Sequence, residues 1–154
     1  MILLDSDVMM LELRYLRDPK ATVNRQALDQ IKADGIPLCI MTQALLEVVG
    51  MLSYGTPRTF VSKWPATILA FFNAQVLPDL TTHPSYAGCT VADVITQMSH
   101  QMALGDAIQA VQIAQHAPSA TCLLTWNARH FVGKLVIPVM TPEEWLNQRQ
   151  ASTP

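Results

Sequence analysis

Short apolar runs alternate along the chain with longer stretches of helical period. Four runs, residues 1–4, 37–41, 120–125 and 135–140, read as buried strands, and a weaker fifth lies at 75–80. Between them the apolar positions predict helices over 9–15, 22–33, 43–53, 58–74, 91–101, 106–116 and 143–148. Thr56-Pro57 and Thr141-Pro142 each set a capping hydroxyl before a proline at a first helical position, and Gly35 and Gly105 mark breaks. Strands separated by helices imply an α/β fold, a mainly parallel sheet covered by helices on both faces. Without a repeat, a low-complexity tract or a linker, the chain reads as one domain over residues 1–148 with a polar tail at 149–154.

Composition narrows this picture. Half of the 154 residues are hydrophobic, enough to bury a sizeable core. Only 14% are charged, against about 25% in a typical soluble domain. That shortage implies a surface partly covered by a partner. Ten basic against twelve acidic side chains give a formal charge of -2, which excludes a globally basic nucleic-acid coat. Asp5 interrupts the first apolar run at once, so the start does not read as a secretory signal. No run reaches the roughly 18 apolar residues of a membrane span. Cys39, Cys89 and Cys122 are odd in number and lack C-x-x-C spacing. A cytoplasmic protein with reduced thiols is expected.

Most acids lie in polar surroundings, and Glu144 has the spacing to complete a capping box with Thr141. Three do not. Asp5 ends Ile2-Leu3-Leu4, Glu47 is enclosed by Leu45, Leu46, Val48 and Val49, and Asp106 is followed by Ala107-Ile108 with Leu104 just before. Each has an ordinary explanation taken singly: an arginine partner for Asp5, a gap for Glu47, a helix cap for Asp106. In a parallel sheet with right-handed crossovers, however, all three fall on the edge formed by the strands' carboxyl ends, where such sheets bind ligands. Clustered carboxylates repel, and a divalent cation relieves that repulsion. All-oxygen ligands favour magnesium or manganese. His83, His100, His116 and His130 are too scattered for a zinc site.

These segments resemble the PIN-domain family, the metal-dependent nuclease fold of VapC-type toxins in toxin–antitoxin pairs. Met1-Ile2-Leu3-Leu4-Asp5-Ser6-Asp7-Val8 is similar to its opening strand and first acid, and Leu46-Glu47-Val48-Val49-Gly50 to its second motif. Leu104-Gly105-Asp106-Ala107-Ile108-Gln109-Ala110 matches the third, and Leu124-Thr125-Trp126-Asn127-Ala128-Arg129-His130-Phe131 the fourth. The last strand and helix are similar to the closing segment with Pro142-Glu143-Glu144-Trp145-Leu146. The resemblance implies a PIN-like, three-layer fold with five parallel strands, and Mg2+- or Mn2+-dependent hydrolysis of RNA. It implies a catalytic set of Asp5, Glu47, Asp106 and Asn127, with Asp5 and Asp106 as direct or water-mediated metal ligands and Glu47 completing the metal site by holding metal-bound waters or accepting a proton from the attacking one. It also implies an antitoxin partner. Asn127 stands where many members carry aspartate; its carbonyl oxygen brings no charge, which leaves one or two metals open. Asp7 either compensates or caps the first helix.

Two other readings stand beside this one. A catalytically weak PIN-like domain would act by binding a partner or RNA. A haloacid-dehalogenase-like phosphatase would use Asp5 as nucleophile, Thr42 as a second hydroxyl and Lys134, but it lacks the closing acid pair. Arg14, Arg17, Arg129 and Lys134 are candidate phosphate contacts, and Trp126 and Tyr86 candidate stacking surfaces. Phe60, Val61, Trp64, Ile68, Leu69, Phe71 and Phe72 give the 58–74 segment more apolar surface than a one-sided helix needs, so a homodimer face or antitoxin groove is expected there, together with the helix around Met51.

Overall fold

A computed structural model describes residues 1–81 and 88–151. His83 and Tyr86 lie outside the described residues. The chain is a three-layer α/β fold around a sheet of five strands, all of whose pairings are parallel: β1 (Ile2–Leu4), β2 (Leu38–Met41), β3 (Ala74–Leu77), β4 (Cys122–Leu124) and β5 (Val139–Met140). The order is β3-β2-β1-β4-β5.

The central strands are apolar on both faces because both are covered, which is why they read as continuous hydrophobic runs. Ile2, Leu4, Leu38, Ile40, Cys122 and Leu124 pack into one core with residues of α1 (Ser6–Leu13), α2 (Ala21–Ala33), α3 (Thr42–Ser53) and, past the short α4 (Arg58–Val61), α5 (Trp64–Phe72). Leu3, Cys39, Met41 and Leu123 point the other way, into a core closed by α7 (Leu104–His116), Phe131 and Ile137. Val94 of α6 (Val91–Met98) leans on that second core, and Trp145 of α8 (Pro142–Ala151) belongs to the first. No helix among the described residues is long and apolar enough to cross a membrane.

The chain builds outward from β1 to β2 and β3, then returns to place β4 on β1's other side. Strand order therefore reverses between β1 and β4, and the loops after these two strands flank a crevice.

Several boundaries differ from the sequence pattern for local reasons. The predicted 58–74 helix is two, because Pro65 has no N–H to continue the ladder and sits instead in the first turn of α5. Ala74, expected at that helix's end, begins β3, and Asn73 turns the chain in a left-handed conformation. Thr56 does not cap; its hydroxyl donates to the Leu52 carbonyl, and Pro57 holds the cap position. Pro138 cannot donate, so the 135–140 run forms ladder structure only at Val139–Met140. Gly105 lies inside α7 rather than at a break. The Thr141–Glu144 capping box forms as expected, and α8 continues through Ala151, with Arg149 2.6 Å from Asp34. Cys39, Cys89 and Cys122 are free thiols, and burial pushes Cys122 up to about 11.

Candidate functional site

Asp5 follows β1 directly. Its backbone N–H extends the sheet by donating to the Leu124 carbonyl, and its side chain caps α1 by accepting from the Ser6 N–H at 2.8 Å. Helix α1 therefore starts at Ser6, three residues earlier than the periodicity predicts. The residue is only 6% exposed. Burial, then the charge of Asp7, push it up to about 7; Glu47 adds to the rise, while the Thr125 hydroxyl and Ser6 N–H oppose it.

Asp7 is not the cap. From the first turn of α1 it reaches the loop after β4, where Oδ2 accepts from the Trp126 N–H at 2.9 Å and the Thr125 hydroxyl at 3.2 Å. It thereby staples together the two loops at the strand-order reversal. Oδ1 is buried without a hydrogen-bond partner among the described residues. Burial raises the Asp7 carboxyl, against the hydrogen bonds it accepts.

Glu47 lies in the second turn of α3, partly buried, and Oε1 accepts from Gln43 Nε2 at 2.8 Å. It abuts the start of α7: a Cβ on Gly105 would fall 2.5 Å from Glu47 Oε1 and 3.3 Å from Gln43 Nε2. A side chain at position 105 would push the ends of Glu47 and Gln43 out of this arrangement. Asp106, the next residue, is the third of α7, whose cap position is held by Ala103. The helix thus begins two residues before the predicted start. Asp106 Oδ2 sits 3.3 Å from His130 Nδ1, in the 3-10 turn Ala128–His130 after β4.

Asn127 is exposed just before that turn, and its backbone N–H donates to the Thr125 hydroxyl oxygen. With Asp7, Trp126, Tyr15, Lys20 and Met51 it lines a cavity of about 390 Å³. Trp126 is less free to stack than its sequence position suggests. Its Nε1 donates to the buried Asn24, and Lys20 Nζ stands 5.0 Å from the ring centroid. Of the candidate phosphate contacts, Arg14 donates to the Met51 carbonyl and Lys134 to the Gln101 carbonyl. Thr42 gives its hydroxyl to the Leu77 carbonyl. The expected homodimer or antitoxin segment divides: Ile68 and Phe72 enter the core, while Phe60 and Phe71 are exposed.

The predicted acids thus share one edge, yet they do not form a tight ring. Among the described residues, no three His, Cys, Asp or Glu side chains come together as a ready-made metal ligand group. The oxygen donors along the edge are of the kind a hard cation takes: the carboxylates of Asp5, Asp7, Glu47 and Asp106, with Asp7 Oδ1 buried and without a partner among the described residues, and the amide carbonyl of Asn127. Sequence reasoning missed His130 as a neighbour of Asp106 and Gln43 as the holder of Glu47. It weighed Asp7 without finding its bonds across the β1–β4 crevice. The chain matches no protein-family model and no curated protein.

Proposed function

We propose that this chain is a PIN-like, Mg2+- or Mn2+-dependent endoribonuclease acting as the toxin of a toxin–antitoxin pair. The observation that supports the reading is that Asp5, Glu47 and Asp106 come from three separate elements to one edge of the sheet: Glu47 lies against Gly105, next to Asp106, and the charges of Asp7 and Glu47 help raise Asp5. Asp5 and Asp106 would hold the cation, with Asn127 and Asp7 facing the neighbouring cavity. When bound, the cation supplies charge neutralisation for the phosphate and lowers the pKa of a water. Glu47 orients the attacking water and takes its proton, its position kept by Gln43. His130 orients Asp106. Asp7 holds the Thr125 hydroxyl and the Trp126 backbone N–H so that the crevice between β1 and β4 stays shaped for the RNA strand.

An antitoxin and a second copy of the chain are part of this proposal. Exposed Tyr54, Phe60 and Phe71 along α3 to α5 support a covered face. The binding-only alternative draws on Asn127 and on the absence of a ready-made ligand group among the described residues. The phosphatase alternative finds no support, since Thr42 and Lys134 spend their donors on backbone carbonyls rather than on Asp5.

Incubation of the purified protein with a mixed RNA pool tests the proposal. Cleavage that requires Mg2+ or Mn2+ and stops in excess chelator is the expected result. Retention of RNA without cleavage supports the binding module instead, and cleavage in chelator overturns the metal mechanism.

A further inference from the structure

We infer that Gln43, seated by Gln112, is a positioning residue that fixes the orientation of Glu47 at the acidic edge; the inference rests on the nuclease reading above. Gln43 is in the first turn of α3, where backbone N–H groups have no partner within the helix. Its N–H finds one outside: Gln112 Oε1 of α7, at 3.0 Å. Gln112 is completely buried and Gln43 nearly so. A side chain of α7 therefore caps α3, locking the axial register of one helix against the other.

From that fixed base the Gln43 side chain donates to Glu47 Oε1, one turn on, at 2.8 Å. Gly105 of α7 lies against both side chains, since a Cβ there would stand 2.5 Å from Glu47 Oε1 and 3.3 Å from Gln43 Nε2. Glu47 Oε1 is thus held by an amide donor next to a helix turn that has no side chain to displace it.

The ordinary explanation is an i,i+4 glutamine–glutamate pair, worth about 0.2–0.5 kcal/mol on an exposed helix. That does not account for its setting. Burying amides is costly unless every donor is satisfied, and Gln112 Nε2 and Gln109 Nε2 have no partner among the described residues. Apolar side chains would fill the α3–α7 seam without that cost. The polar seam is understandable if its product is the placement of Glu47.

The test uses the near-isosteric Gln43→Met, with Gln112→Met as a second variant should the first not fold. Circular dichroism checks the fold, and Mn2+ titrations followed by thermal melting give a readout independent of catalysis. Gln43→Met should raise the Mn2+ midpoint roughly 10–100-fold, the range typical of lost supporting contacts around metal ligands. The kcat for RNA should fall by a similar factor, with KM unchanged. Gln112→Met should move both in the same direction. In a Glu47→Gln background Gln43→Met should produce no further change, because Gln43 acts through Glu47. An equal shift with and without Glu47, or no shift in an otherwise responsive protein, overturns this inference alone. A parent chain that neither responds to Mn2+ nor cleaves RNA overturns the nuclease reading and this inference with it.

Discussion

Replacing Asp5 by asparagine should stabilise the metal-free protein at neutral and alkaline pH. The side chain is almost completely buried, and its carboxyl is raised from an ordinary 3.8 to about 7. Ionising it in the folded state therefore costs on the order of 4 kcal/mol more than in the unfolded chain. Asparagine keeps the shape and the cap on the Ser6 N–H, and removes the charge that Asp7 and Glu47 oppose. Part of the burial cost stays with the amide, so a gain of about 2 kcal/mol is expected, or ~4–8 °C in Tm for a domain of this size. The sign follows from proton uptake. Between the unfolded and folded pKa values the folded parent holds a proton that the unfolded chain releases, so the parent loses stability as pH rises from about 4 through 7. Parent and variant should melt together below that window and differ most above it. Saturating Mn2+ should reverse the order at pH 8, since ligand at 100 times its Kd adds about 2.7 kcal/mol to a form that binds it. Melts in chelator from pH 4 to pH 8 check the argument. A gap that does not change with pH, or a parent more stable than the variant at pH 8 in chelator, would refute it.

Gly105→Ala should separate stability from activity. Alanine favours the helix by up to about 1 kcal/mol, while its Cβ requires the side-chain ends of Glu47 and Gln43 to give way, so the Tm should change little while RNA cleavage falls at least roughly tenfold. Asn24→Ala should do the opposite. Its amide donates to the Val8 carbonyl and Glu12 Oε1 and accepts from Trp126, so a loss of about 2–4 kcal/mol is expected in urea titrations.

The strands were legible because burial on both faces leaves an unbroken apolar run, as in Ile2-Leu3-Leu4 and Cys122-Leu123-Leu124. Of the three acids set among apolar residues in the sequence, Asp5 is buried, whereas Glu47 and Asp106 are partly exposed because Leu46 and Leu104 beside them face outward. Prolines set the limits of this reading. The apolar pattern runs straight through Pro65 and Pro138, but the backbone hydrogen bonding does not. Contacts between polar side chains were hidden altogether. Asp7 meets Trp126 across 119 positions and Gln43 meets Gln112 across 69, pairings set by strand order and helix register rather than by periodicity. His130 reached Asp106 in the same way, through the turn after β4 packing beside the start of α7.

The central claim is that the acidic edge uses a cation to direct water at an RNA phosphodiester. The most direct measurement is the chemistry of the ends produced from one defined RNA by the parent and by Asp106→Asn, with Mn2+ and with chelator. Attack by water predicts a phosphomonoester on one product and a free hydroxyl on the other, from the parent with Mn2+ alone. A 2′,3′-cyclic phosphate, or equal cleavage by Asp106→Asn, would contradict the account.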